Sequence, residues 1–225
     1  GGIVVLGLLI AAVPAGATVI DFTGGTAYLL DGTTVVTNNT YTAATEWGAT
    51  DYYVEDGFVL AFIGDGGIIG DYYGGGNDVI HGHWYTGSYG TLTEIRISRQ
   101  DGATFDLNYF ELTSNTDVGG WEASGNELAY ITGYDGGGTA IGTTTLLPPD
   151  DWGWTGANPQ VYLDSTYDAV SYVSFTVGNW VDCFGMDMFY INEDAPPPNV
   201  VPEPASMVLL GAGLAGMAAL RRKSL

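Results

Sequence analysis

Apolar residues in this chain recur at alternate positions over short runs, and the runs are separated by Gly, Asp and Asn. That two-residue period marks strands with one buried face. No long segment between residues 18 and 200 repeats at the helical period. Val19-Ile20-Asp21-Phe22 reads as the opening strand. Ala27–Leu30 and Thr33–Thr37 flank Asp31-Gly32, a strong hairpin signal. Gly57–Ile63 is apolar enough for a central strand. Asp65–Asn77 is Gly-rich and reads as a long loop. Thr91–Arg99 puts Ile95 and Ile97 on one face, with Glu94, Arg96 and Ser98 on the other. After an Asp101-Gly102 turn, Ala103–Leu112 alternates through Phe105, Leu107 and Tyr109, then switches phase at Phe110 and Leu112, which predicts a β-bulge. Glu127–Tyr134 and Thr139–Leu147 flank Asp135-Gly136-Gly137-Gly138, a second hairpin. Val161–Leu163, Val170–Val177 and Phe184–Asn192 complete the set. About a dozen short strands without a helix predict an all-β fold, an antiparallel sandwich of two sheets.

The two ends depart from this pattern. Gly1–Ala17 has an apolar core at Ile3–Val13, and Ala15-Gly16-Ala17 follows as a small-residue cleavage site. It reads as a secretory signal peptide, truncated because neither Met nor a basic segment precedes it; the alternative is a buried first strand. Residues 18–194 form the sandwich domain, and 195–200 a Pro-rich linker. Over 201–225 a polar Pro202-Glu203-Pro204 precedes an uncharged run, Ala205–Leu220, and then Arg221-Arg222-Lys223. The run approaches the length of a spanning helix, and the cations would hold its end in the cytoplasm. This order resembles the PEP-CTERM sorting tail of exported bacterial proteins. The resemblance implies transient residence in the inner membrane of a Gram-negative bacterium, recognition by an exosortase and cleavage near Pro202-Glu203-Pro204. Release to the cell surface or extracellular matrix would follow. A plain membrane anchor or a buried C-terminal helix is the other reading.

Charge narrows the partners. Three of the five basic residues lie in the tail, which leaves 2 cations against 25 carboxylates over residues 18–201, a net charge of −23. Phosphate binding needs a basic surface, so nucleic acid is excluded. Such a surface favours solubility and attracts divalent cations, either as adaptation to a salty medium or as dedicated ion binding. Cys183 is the only cysteine, so no internal disulfide forms; it reads as a small core residue.

The strand patterns of residues 97–112, 129–146, 161–165 and 184–191, in that order, are similar to the jelly-roll domain common in PEP-CTERM exported proteins. That domain in turn is similar to non-catalytic carbohydrate-binding modules. The resemblance implies a jelly roll whose first segment lies beside its last strand. It also implies a structural Ca²⁺ site at the Asp that opens the final motif, Asp187; Asp21, in the first strand, is added from its place in the chain.

Three other stretches carry candidate chemistry. Asp150-Asp151-Trp152-Gly153-Trp154 offers flat rings for stacking on sugar and carboxylates for hydroxyl groups; the alternative is rings packed over one end of the sandwich. Trp84, Tyr85 and Trp121 would join it only if the fold brought them there. Tyr73–Gly82 resembles one calcium-binding nonapeptide repeat, without a second copy, and reads better as a Gly-rich loop. His81-Gly82-His83 would direct two imidazoles to one side of a strand, toward a transition metal; with no Cys or third His nearby in sequence, surface or loop histidines are the plainer reading. No motif of nucleophilic, zinc-protease or nucleotide chemistry is present, so an enzyme is not expected. The expected function is that of a non-catalytic surface or exopolysaccharide-matrix protein that binds polysaccharide. The alternatives are a structural matrix protein stabilised by Ca²⁺ and a secreted glycoside hydrolase.

Overall fold

The computed structural model describes residues 16–38, 50–71, 78–148 and 158–198. The chain divides into two compact units, Gly1–Ala195 and Pro196–Leu225. The first contains β1 (Thr18–Ile20), β2 (Thr26–Tyr28), β3 (Val35–Asn38), β4 (Tyr52–Glu55), β5 (Phe58–Ile63), β6 (Gly67–Asp71), β7 (Asp78–His83) and β8 (Glu94–Arg99). It continues with β9 (Leu107–Asp117), β10 (Trp121–Glu122), β11 (Leu128–Tyr134), β12 (Ala140–Leu146), β13 (Gln160–Tyr162), β14 (Tyr172–Asn179) and β15 (Val181–Ile191). Among the described residues the helical part is one 3-10 turn, Ser165–Tyr167, and no helix is long and apolar enough to cross a membrane.

Two antiparallel sheets carry these strands. One has eight strands in the order β12-β11-β14-β8-β5-β4-β2-β3. The other has seven: β10-β9-β15-β7-β6, with β1 also paired to β15 and β13 to β9. Within them, β7-β15-β9-β13 and β8-β14-β11-β12 alternate between the sheets in the order that defines a jelly roll. The remaining strands extend its edges. The long β15 shares one side between β7, which pairs residues 183–186, and β1, which pairs residues 189–191.

The predicted phase switch in Ala103–Leu112 is present. Register slips between Leu107/Ile191 and Tyr109/Tyr190, so Leu107, Phe110 and Leu112 all enter the core while Tyr109 stays outside it. The matching slip on β15 falls at Met188, which has φ 54°. Between the sheets, Phe189 stacks on Phe110 at 5.5 Å, and Phe175 meets Phe110 edge-on at 5.3 Å. The hairpin turns use Asp as expected: the Asp31 carboxylate accepts from Thr33 N, Thr34 N and the Thr34 hydroxyl, which holds its pKa down to about 2.

One expectation fails. Asp65–Asn77 is not a continuous loop: Gly67–Asp71 pairs with Asp78–His83 as a regular ladder. Its glycines are there for close packing, since a Cβ on Gly67 would collide with the Phe62 ring. Ile68 and Ile69 are both buried between them.

Glu55 ties the first segment to the sheet. Its carboxylate accepts from Phe22 N at 3.1 Å, Gly24 N at 3.0 Å and the Tyr53 hydroxyl at 3.1 Å. Burial raises its pKa above the ordinary 4.5, against the lowering pull of the Gly24 and Tyr53 hydrogen bonds. Folding therefore favours the protonated form. The stability this contributes is complete below pH 4.5 and is lost as pH rises through the higher folded value. Glu55→Gln cannot ionise. Urea titrations at successive pH values should show the stability of the native chain falling relative to Glu55→Gln as pH rises above 4.5. Parallel pH profiles would show that Glu55 does not titrate in that window.

Candidate functional site

Exposed aromatic rings collect at one end of the seven-stranded sheet. Tyr85 and Tyr89 lie on the segment after β7, Trp121 on β10, and Trp180 between β14 and β15. Trp121 is 74% exposed, and the other three are each about half exposed. Register explains the convergence. Val181 pairs with Asp117, which pairs in turn with Trp121, so Trp180 and Trp121 are anchored on one cross-strand row. The Thr86 hydroxyl donates to the Val181 carbonyl at 2.6 Å, which fastens the Tyr85 segment to that row. Tyr89 and Trp121 flank the turn after β9: the Tyr89 hydroxyl donates to the Gly119 carbonyl at 3.4 Å, and a Cβ on Gly119 would lie 3.1 Å from the Trp121 indole nitrogen. Gly119 and Gly120 have φ of 89° and 75°, where glycine is favoured.

The segments that carry these rings also carry carboxylates. Asp117 accepts from Val118 N at 2.6 Å, and Glu122 is exposed beside Trp121. Asp182 is fully buried and accepts from Ser88 N at 2.9 Å, which holds the loop carrying Tyr89. This end offers flat apolar rings next to hydrogen-bonding groups. Trp84, which would have joined the sugar-facing rings only if the fold brought it there, is core: it is fully buried and stacks on Phe184 at 4.9 Å and 5°. Its position follows from alternation, because Trp84 falls in phase with Ile80, a core residue.

The other predicted sites fare differently. Trp152, Trp154, Asp150 and Asp151 lie outside the described residues, as do Ala15, Pro202, Glu203, Pro204, Arg221, Arg222, Lys223 and residues 73–77 of the nonapeptide-like stretch. Ala17 is exposed and precedes β1. The first segment does lie beside the last strand, with Ile20 opposite Phe189. Asp21 and Asp187 each fall within two residues of that pair. Asp21 accepts from Thr23 N and the Thr23 hydroxyl, at 3.1 and 2.6 Å, and Asp187 accepts from Met188 N at 2.7 Å. Asp187 stands directly opposite Glu111 on β9.

His81 and His83 are not surface or loop residues. They sit in β7, His81 fully buried and His83 7% exposed, with ring centroids 5.4 Å apart. Burial holds the His81 imidazole well below the usual histidine range, and His83 adds to that effect. Burial also lowers His83, against the raising influence of Asp182. Cys183 is opposite His83 in the β7–β15 register. The three side chains form a group whose ligand atoms all lie within 4.8 Å of one another. The i, i+2 spacing of the imidazoles is a local signal, but the thiol belongs to a strand far away in the chain, so the sequence does not show the full group.

The fold is thus that of a jelly-roll β-sandwich. Residues 200–223 match the family model of the PEP-CTERM protein-sorting motif, so the chain is an exported protein bearing an exosortase sorting signal. Among solved structures, the CBM22-1 xylan-binding domain of Xyn10C from Paenibacillus barcinonensis is similar at 11% identity and a TM-score of 0.33, over 82% of this chain and all of that one. The CBM22-1-CBM22-2 tandem domain of the same protein is similar at 13% identity and a TM-score of 0.30, over 69% of this chain and 45% of that one. No curated protein sequence matches the chain.

Proposed function

We propose that the exported domain is a non-catalytic polysaccharide-binding protein of the cell surface or exopolysaccharide matrix, and that it binds through the aromatic end. The observation that carries this reading is the convergence of Tyr85, Tyr89, Trp121 and Trp180 from three separate segments, all exposed. Exposed aromatic surface gathered in one place marks an interaction site. Sugar rings present flat C–H faces that stack on such side chains, and their hydroxyl groups bond to carboxylates of the kind found at Asp117 and Glu122. A domain with 25 carboxylates repels acidic polymers, which favours neutral glycans.

Retention on insoluble polysaccharides and mobility in glycan-containing gels test this. Trp121→Ala and Trp180→Ala should each weaken retention by about tenfold, a loss of about 1.4 kcal/mol, without lowering the melting temperature. Retention that survives the double replacement would move binding away from this end. Release of reducing sugar ends by the native chain would overturn the non-catalytic reading.

A structural Ca²⁺ is a second reading, favoured by the placement of Asp187 directly across from Glu111. Two carboxylates facing each other on neighbouring strands repel, and a cation between strands relieves this. Calcium takes six to eight oxygens and accepts mixed sets, to which Asp187 and Glu111 would contribute their carboxylates.

A further inference from the structure

We propose that His81, His83 and Cys183 form a binding site for a thiophilic transition-metal ion of the Zn²⁺ class, strapping β7 to the last strand. Residues i and i+2 of a strand face the same way, so both imidazoles lie on one side of β7. That side faces away from the core between the sheets, because the flanking residues Ile80 and Trp84 belong to that core. Cys183 is the direct cross-strand partner of His83, and directly opposite residues share a face. Beside it, His81 faces Gly185, whose lack of a side chain leaves the Cys183 sulfur as the β15 group near that imidazole. The result is an N, N, S set presented by two hydrogen-bonded strands.

The donor chemistry selects the ion. Thiolate and imidazole together suit Zn²⁺ or Cu⁺ and not the oxygen-seeking Ca²⁺ or Mg²⁺. Around a tetrahedral Zn²⁺, with Zn–N of about 2.0–2.1 Å and Zn–S of about 2.3 Å, ligand atoms stand about 3.3–3.6 Å apart. The ligand atoms lie within 4.8 Å of one another, so binding would draw them together by up to about 1.5 Å. Three protein ligands leave a fourth position for water. On binding, the Cys183 thiol gives its proton to solvent and its sulfur lone pair to the metal.

A supporting shell is in place. The Thr116 hydroxyl lies 2.7 Å from the Cys183 sulfur and also accepts from Cys183 N at 3.2 Å. It can donate to a thiolate and fix its direction. The Tyr89 ring stands edge-on to His83 at 6.2 Å. The segment bearing Tyr89 therefore covers the small exposed edge of His83, and an ion there would also steady that loop.

The test uses the full chain, freed of metal by chelation and repurified. It should take up about one tight equivalent of Zn²⁺, competed by a chelator and not by Ca²⁺. Co²⁺ in its place should show a thiolate-to-cobalt charge-transfer band and the strong visible bands of a tetrahedral ion. Cys183→Ser should lose the charge-transfer band and the tight equivalent. Thr116→Val should keep the band and weaken Zn²⁺ binding by about 10–100-fold. No tight uptake, or tight Zn²⁺ undiminished by Cys183→Ser, would overturn the proposal, the latter placing the ion on surface carboxylates. If Cys183→Ser fails to fold, the native chain decides: Co²⁺ bound without a thiolate band overturns the site. Polysaccharide retention is read separately, so failure of either proposal leaves the other standing.

Discussion

Trp84→Ala should be among the most damaging single replacements in the domain. The indole is fully buried, lies flat on Phe184 at 4.9 Å and sits where β7 gives way to the aromatic loop. Its backbone N–H donates to the Asp182 carbonyl at 2.7 Å, and an isolated bridge pairs it with Leu92. Removing a buried large aromatic costs about 3–5 kcal/mol, from lost transfer energy and the cavity left behind. For a domain of this size each kcal/mol lowers the melting temperature by about 2–4 °C, so the fall should be roughly 6–20 °C. Trp84→Phe separates the possible causes. Among the described residues the indole Nε1 has no hydrogen-bond partner, and a buried unmet donor costs about 1–3 kcal/mol. Phenylalanine keeps much of the stack and sheds that donor, so its loss should be far smaller. Equal losses in the two variants, measured by thermal and urea unfolding, would show that the indole makes a polar contact essential to the fold.

The contrast between Trp84 and Trp121 shows how far the sequence could be read. Alternation over Val79–Trp84 assigns Ile80 and Trp84 to one face, but nothing local says which face is covered. The sequence left Trp84 open, to join the sugar-facing rings only if the fold brought it there, and the fold placed it in the core. Strands with clean alternation were legible, such as β8, where Ile95 and Ile97 are buried and Glu94 and Arg96 pair at 2.7 Å on the other face. The Asp-Gly hairpins were legible because turn chemistry is local. β6 was not: glycine normally signals a loop, and only its proximity to Phe62 explains Gly67 in a strand. The His81–His83–Cys183 group was half legible. The i, i+2 imidazoles could be read from the strand pattern, but the thiol arrives through the β7–β15 register, which is long-range. The Tyr89 and Trp180 contributions to the aromatic end were missed for the same reason.

Calcium should stabilise the domain specifically, and Asp187 should be the residue through which it does so. The physical case starts from repulsion. Asp187 and Glu111 stand directly opposite on β15 and β9, where like charges destabilise a sheet. The Tyr109 hydroxyl donates to Glu111 at 2.6 Å, which holds that carboxylate in place. The surrounding domain is strongly acidic, and no disulfide offsets the repulsion. An ion held only by the folded form adds RT ln(1 + [L]/Kd), about 2.7 kcal/mol at a hundredfold excess over Kd. At about 2–4 °C per kcal/mol, that raises the melting temperature by roughly 5–11 °C. Screening alone would act alike for Mg²⁺ at equal ionic strength, whereas a site prefers Ca²⁺, because Mg²⁺ demands a smaller and stricter shell. Asp187→Asn distinguishes the two by sign. Without calcium the variant should be as stable as the native chain or more so, since the facing charge is gone. With calcium the order should reverse, because the native chain gains and the variant does not. A melting curve for Asp187→Asn that rises with Ca²⁺ as much as the native one, or that Mg²⁺ reproduces, would leave only screening.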